Sequence, residues 1–485
     1  MLINRFKQSF PVAYTVLLNT KLQFVICSLI TVLAYVFSLH FCLASVLFYY
    51  LLLSYSTERR HLQSMLFTPL TILALSNFLY AGVGVTFLTI SNNYEFDLYL
   101  FLIQSAAVVT FPFTILIYTF ITKDVPALSL PDPNITKSKS FYKRLKILAW
   151  IIFIYGFTGL LVGAITGSGD RGVAGEFILE TRYGIWSAFV IFGRLNYISF
   201  ITLPLILKDS KFKTRLLIFI LLAIYFIYTF AAGGRGALLY PFVFFGIGYW
   251  LFGGKAHIIK QSLVIFIAAS LFLIPFMDSF RNTSAFRYSA LSNPLERLSS
   301  SVTETSEAFG SNESQDNLFK IGRSLMASSD MYIYEYTPAD IPFAGWENID
   351  AALYVWIPDM IFPGKPLLLD GNQIASTYTG IKHDRSSSNI SFNADMYRRF
   401  GWFGIFIGNI CFALFYACVI RYSFLIYSQN NSLVGFAFIL LTFTFFINTP
   451  LSTLLGTIWI WLWDIPKYVL LFFAIDKITK MFVKN

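Results

Sequence analysis

The sequence predicts an all-α polytopic membrane protein with about 12 transmembrane helices and one large loop late in the chain. Three observations predict it: the composition, a succession of span-length apolar runs, and the placement of the basic residues. Of 485 residues, 56% are hydrophobic and only 13% charged, with 53 Phe and 28 Tyr. One soluble core cannot hide that much apolar surface, so lipid must be the solvent for most of it. The net charge of +10 therefore does not argue for a nucleic-acid partner; where the charges sit matters more than their sum.

Apolar runs long enough to cross a bilayer fall near 22–39, 41–57, 66–90, 98–121, 146–167, 184–207, 216–232, 237–252, 261–277, 401–420, 433–450 and 454–475. The seventh and eighth are short, and only Gly233 to Gly236 part them. With the N-terminus cytoplasmic, the inner segments take Arg5 and Lys7, Arg59 and Arg60, Lys137 through Lys146, Lys208 through Arg215, Lys255 and Lys260, Arg421, and Lys477, Lys480 and Lys484. The short outer segments 91–97 and 451–453 contain no Lys or Arg. Both termini are thus expected in the cytoplasm. The first apolar run lacks a small-residue cleavage site and is expected to stay as an anchor. This gives three regions: a bundle over 1–277, an outer loop domain over 278–400, and a closing bundle over 401–485.

Cys27, Cys42, Cys411 and Cys418 all fall in the runs, so no disulfide is expected to hold the loop. His40, His61, His257 and His383 are too scattered to suggest a metal site, and no cofactor motif is present. Within the loop, 299–316 is rich in Ser, Glu and Asn, 319–334 reads as helix, and 348–356 reads as a short helix with Ile349, Ala352, Leu353 and Trp356 on one face. The Pro- and Gly-rich stretch 358–371 should double back without regular structure. The segment from Asn393 to Gly401 should then lead directly into a span.

Arg235 lies in Gly233-Gly234-Arg235-Gly236, between two apolar runs. Glycine lets the backbone close around a ligand, and a guanidinium at the end of a span suits a phosphate at the lipid–water boundary. It also suits a helix cap or an interface salt bridge. Arg171 follows a Gly-rich loop that closes at Glu180 and Arg182; Arg194 lies further along the next span, where it needs a cavity, a carboxylate or an anion. With Lys365, Arg385, Arg398 and Arg399 these make an outward basic set, against the inside bias of basic residues, and something anionic accounts for it. A lipid-linked diphosphate fits: cations for the head, aromatic-lined grooves between spans for the tail. If the ligand is an activated sugar donor, the arginines would stabilise the departing diphosphate, and the absence of a glycine loop after a strand argues against a sugar nucleotide. For a base near the attacking hydroxyl, His383 stands among Lys382, Asp384 and Arg385; Asp395 is the alternative, or it orients Arg398 and Arg399.

The Gly-Gly-Arg-Gly run, the segment Ile357-Pro358 to Phe362-Pro363-Gly364-Lys365-Pro366, and the loop exit Asn393 to Tyr397 followed by Phe400-Gly401-Trp402-Phe403-Gly404 resemble the Wzy-type O-antigen polymerases, as does the architecture over most of the length. The resemblance implies a GT-C-like, metal-independent and inverting glycosyltransferase of the bacterial inner membrane. Such an enzyme polymerises undecaprenyl-diphosphate-linked repeat units at the periplasmic face during lipopolysaccharide biosynthesis. Its partners are the lipid-linked donor and acceptor, the membrane lipid and a protein that sets chain length. Arg235 is carried over as a diphosphate contact, with Arg398 or Arg399 in the same part. The rivals are an O-antigen ligase, which differs in its acceptor, and a lipid-linked oligosaccharide flippase, which would favour two related halves and polar discontinuities at the membrane midplane.

Overall fold

The computed structural model describes residues 39–58, 69–91, 97–125, 136–166, 192, 195–231, 235–252, 276–277, 280, 302, 329–356, 370–379, 390–430, 433–446 and 453–482. Every regular element among them is helical. Five helical stretches are long and apolar enough to cross a membrane: Leu70–Ser91, Leu98–Thr122, Phe212–Phe230, Phe392–Ser428, which is broken at Gly401, and Leu454–Met481. The protein is therefore an all-α, multi-pass membrane protein. The expected runs 22–39 and most of 261–277 lie outside the described residues, and so does Cys27. Cys42, Cys411 and Cys418 are free thiols.

Contacts divide the chain into two compact units, Met1–Leu130 with Gly322–Leu470, and Pro131–Ile321 with Leu471–Asn485. In the first, the helix Leu98–Thr122 is the central strut. Its buried residues Leu100, Ile103, Ala107, Thr110, Phe111, Thr114 and Tyr118 recur at helical spacing and face the neighbouring helices. Val109, Phe113, Leu116 and Phe120, spaced by four, three and four, form an exposed apolar stripe of the kind a lipid-facing helix surface carries. Asp97 starts the helix by accepting from the backbone N–H groups of Tyr99 and Leu100 at 2.8 and 3.0 Å.

Three helices of this unit run in the same direction. His40 meets Gln104 at 2.9 Å, and Tyr50 meets Phe111 further along, so Leu39–Glu58 lies parallel to Leu98–Thr122. Phe113 packs on Phe406, and Arg421 donates to the Ile121 carbonyl at 2.8 Å, so the helix after Gly401 is parallel to them too. Arg421 thereby caps the last turn, where carbonyls lack partners and the helix dipole favours a cation. These are the second, fourth and tenth runs of the sequence, and a chain that alternates across a membrane must send them the same way.

The loop exit leads into a span, as the sequence predicts, but through a reversal that the sequence does not show. Residues 392–430 are not one helix entering the membrane: Gly401 has φ +64°, and the chain reverses there. Asn409 donates to Asn393 at 2.7 Å and Phe392 packs on Phe412, so the helix 392–400 lies back along the start of the span. Gly404 and Gly408 allow it: a Cβ at Gly404 would overlap the Met396 carbonyl, and one at Gly408 the Met396 sulfur. About 1.5 Å of rise per residue puts Asn393 some 12 Å below the bend. The expected loop helix over 319–334 is seen over Ser329–Tyr336, with 319–328 outside the described residues, and Ile349–Trp356 is a 3-10 helix. The helix Asp370–Thr379 was not expected, because its Gly, Asn, Ser and Thr residues read as breakers; burial of Ile374 and Tyr378 holds it.

In the second unit, Phe212–Ala231 and Arg235–Leu251 are separate helices that fold back on each other, with Phe226 stacked on Phe242 at 5.2 Å. The seventh and eighth runs are thus separate helices, the first ending at Ala231 and the second beginning at Arg235. Leu195–Asp209 crosses Arg235–Leu251 so closely that a Cβ on Gly248 would overlap the Ile201 carbonyl. Arg144 pairs with Asp476 at 2.9 Å, both largely buried.

Gly248→Ala should cost about 1–3 kcal/mol by forcing that crossing apart, read as a lower melting temperature in detergent. Gly401→Ala should cost about 1–2 kcal/mol from the left-handed backbone alone, with the Phe343 ring 3.3 Å from the added carbon as a further burden.

Candidate functional site

The first unit contains a buried ionic cluster just before the bend. Asp395, Arg398 and Arg399 sit at i, i+3 and i+4 on the helix 392–400, the spacing that brings side chains to one face. Asp395 and Arg399 are 0% and 1% exposed, and Arg398 5%. Arg398 donates to Asp395 Oδ1 through Nε at 3.1 Å and Nη2 at 2.8 Å. Arg399 Nε reaches both carboxylate oxygens at 3.2 and 3.3 Å. Asp395 Oδ2 also accepts the backbone N–H of Leu454 at 2.7 Å. Leu454 opens an apolar helix capped by Thr453, so the carboxylate stands at a helix N-terminus, where negative charge is favoured.

Arg399 carries the cluster into the loop. Its Nη1 donates to the carbonyls of Gly345 and Glu347 at 3.2 and 2.7 Å. The loop answers with backbone bonds, Ala344 N–H to the Arg398 carbonyl at 3.0 Å and Gly345 N–H to the Arg399 carbonyl at 3.1 Å. Glu347 lies 3.7 Å from Arg398 and, at 44% exposure, faces water. Two residues of this loop, Gly345 and Asn348, are left-handed at φ +51° and +58°. Glycine adopts this backbone freely; at Asn348 it is held with the side chain bonded to Gln373. Trp346 is thereby displayed at 74% exposure, packed edge-on against Phe400.

A second buried carboxyl lies at the other end of the helix 392–400. Asp330, 0% exposed in the short non-spanning helix Ser329–Tyr336, accepts the Tyr80 hydroxyl and, at 2.9 Å, the backbone N–H of Ser391. Ser391 in turn caps the helix, its Oγ accepting from Ala394 N–H at 3.1 Å. Burial pushes the Asp330 carboxyl up to about 7, against the bonds from Ser391, and nearby Asp395 adds to the rise. Burial, followed by the Asp330 charge, holds the neighbouring Tyr334 phenol well above its ordinary range. Tyr80 sits in a π-helical turn, Phe78–Gly84, a wide turn often found at functional sites.

Of the residues singled out by sequence, the structure brings Asp395, Arg398 and Arg399 together. Both Asp395 oxygens are engaged by donors, which is the geometry of a residue that orients arginines rather than of a free base. The arginines direct donors at that carboxylate and at loop carbonyls. Arg235 is the first residue of its helix, in the second unit, and its side chain lies outside the described atoms. Arg171, Arg182, Arg194, Lys365, His383 and Arg385 lie outside the described residues. Asp330 and Tyr80 were not anticipated: 250 positions separate them, and neither stands in a motif. Among the described residues no three His, Cys, Asp or Glu side chains gather as a metal site would require.

The chain matches no model of a known protein family, no curated protein and no solved structure.

Asp395→Ala strands two buried guanidinium groups and should cost about 3–5 kcal/mol, read as thermal unfolding in detergent. Glu347→Ala, removing a half-exposed partner at 3.7 Å, should cost under about 1 kcal/mol in the same assay.

Proposed function

We propose that the protein is a repeat-unit polymerase of the Wzy type, a twelve-span, GT-C-like and metal-independent glycosyltransferase of a bacterial inner membrane. It transfers a growing glycan from undecaprenyl diphosphate to the end of a lipid-linked repeat unit at the periplasmic face. The single observation that carries this reading is Arg235. It opens the second of two apolar helices that pack on each other, directly after Gly233 and Gly234 in the sequence. The guanidinium belongs to a helix turn whose backbone N–H groups also lack intrahelical partners, and a lipid diphosphate supplies the charge that such an end favours.

In this reading Arg235, with Arg171 and the other outer basic residues of the sequence, holds the diphosphate and stabilises it as it leaves. Direct displacement by the acceptor hydroxyl inverts the anomeric centre. Arg398, Arg399 and Asp395 have a different part: buried and mutually paired, they fix the loop 344–349 against the helix 392–400. His383 remains a base candidate on its sequence surroundings alone.

The test is reconstitution of the purified protein with lipid-linked repeat units and nothing else. Wild type should build a ladder of polymer, whereas a ligase or a flippase should not. Arg235→Ala should abolish the ladder at unchanged protein abundance. Arg235→Lys should recover only part of it, because an ammonium lacks the planar fork that grips two phosphate oxygens. A full ladder from Arg235→Ala would remove the basis of the reading.

A further inference from the structure

In the second unit, helix ends carrying most of its charge meet at one place. Thr136–Thr166 begins there, Leu195–Asp209 ends there, and so do the last turns of Ile465–Phe482. Ion pairs fix the arrangement: Arg144 with Asp476 at 2.9 Å, Lys480 with the same carboxylate at 2.6 Å, and Lys146 with Asp209. The first two helices are antiparallel, since Phe157 packs on Phe200 at 6.5 Å while Lys146 meets Asp209. Lys143, one turn before Lys146, is therefore level with the chain just beyond Asp209. That chain passes through Ser210 and Lys211 into Phe212–Ala231, and Arg215 donates back to the Lys208 carbonyl at 3.2 Å.

The charge at this place is far out of balance. Asp209 and Asp476 are the only carboxylates among the described residues of the unit, and both are taken by the pairs above. Lys139, Lys143, Lys208, Lys211, Arg215 and Lys477 are exposed, and among the described residues none of them makes an ion pair. Lys139, Lys143 and Lys146 share one helical face at i, i+4 and i+7, where like charges repel. Lys139 and Lys213 stand in the first turns of their helices, where the helix dipole disfavours a cation. An anion seated among them relieves both penalties.

The surface that follows is apolar. Leu216, Ile220, Ile224 and Ile227, spaced by four, four and three, are exposed along Phe212–Ala231, while Ile218, Tyr225 and Thr229 are buried on its other side. Unpaired cations at a helix end with an apolar stripe running away from them match an amphiphile: a phosphate for the first, a hydrocarbon chain for the second. A free phosphate has no use for the stripe.

We propose that this place binds an anionic phospholipid of the bilayer, its phosphate among Lys143, Lys208, Lys211 and Arg215 and its acyl chain along Leu216, Ile220 and Ile224. The site lies wholly within the second unit and is independent of the polymerase reading. It is tested with the full-length protein in an uncharged detergent, with phosphatidylglycerol or phosphatidylcholine added as mixed micelles. Phosphatidylglycerol should raise the melting temperature by about 3–5 °C near saturation, and phosphatidylcholine should not. The gain should shrink at about 1 M salt. Lys143→Gln with Arg215→Gln should lose most of the gain, whereas Lys143→Arg with Arg215→Lys, which keeps the charges, should retain it. Lys123→Gln removes an exposed cation of the first unit and should leave the gain whole. Equal gains from the two lipids overturn the proposal, as does a full gain in the doubly neutralised variant. A loss as large in Lys123→Gln reduces the effect to overall surface charge and also overturns it. Inorganic pyrophosphate stabilising as well as phosphatidylglycerol would show a phosphate site without a lipid, and undecaprenyl diphosphate acting in place of phosphatidylglycerol would assign the site to a carrier lipid; either result removes the phospholipid. Native mass spectrometry of the wild type reads the same preference if the double variant does not fold: phosphatidylglycerol retained over phosphatidylcholine supports the site, and no preference overturns it.

Discussion

The carboxylate of Asp395 joins three pieces of chain. Its own helix with its two arginines, the loop 344–349 reached through Arg399, and the helix beginning at Leu454 all depend on one buried anion. Water would compete for each of these bonds at a surface, and at 0% exposure it does not. Removal from water is also the reason the pairing must be complete, since an unpartnered ion there costs several kcal/mol. The cluster is therefore best understood as the joint between the loop and the spans.

Three glycines make that joint possible. Gly401 takes the left-handed backbone that reverses the chain, and Gly404 and Gly408 let the reversed helix lie against the span. Because the helix 392–400 runs back along the span, its two ends meet different chemistry. The Arg398–Arg399 end stands near the bend with Glu347 and Trp346, where the surface is exposed; the Ser391 end lies about 12 Å deeper, beside Asp330 and Tyr80. A short helix thus connects the loop 344–349 to the interior of the bundle.

The two carboxyls near this helix have opposite environments. Asp395 has two guanidinium partners and a helix N-terminus, all of which favour its charge. Asp330 has a phenol and a backbone amide, neutral donors, and burial opposes its charge. The π-helical turn at Phe78–Gly84 widens the helix where Tyr80 must reach across to Asp330.

The all-α class and several of the spans were legible in the sequence, because a bilayer admits only helices and a helix that crosses it needs an unbroken apolar run. The division between the helices Phe212–Ala231 and Arg235–Leu251 and the short helix at Ile349–Trp356 were legible through breakers and local periodicity. The sequence also placed Asp395, Arg398 and Arg399 on one helical face, since that needs only a period of 3.6. Which bonds they make was decided elsewhere: the partners at Gly345, Glu347 and Leu454 lie 48 or more positions away and include backbone groups that every residue possesses. The reversal at Gly401 escaped because Phe-Gly-Trp-Phe-Gly reads equally well as a span's beginning, and only the packing of Met396 and Phe392 against the following turns distinguishes them. Asp330 and Tyr80 were invisible for the same reason: burial, and the bond it makes obligatory, is a property of the assembled tertiary structure.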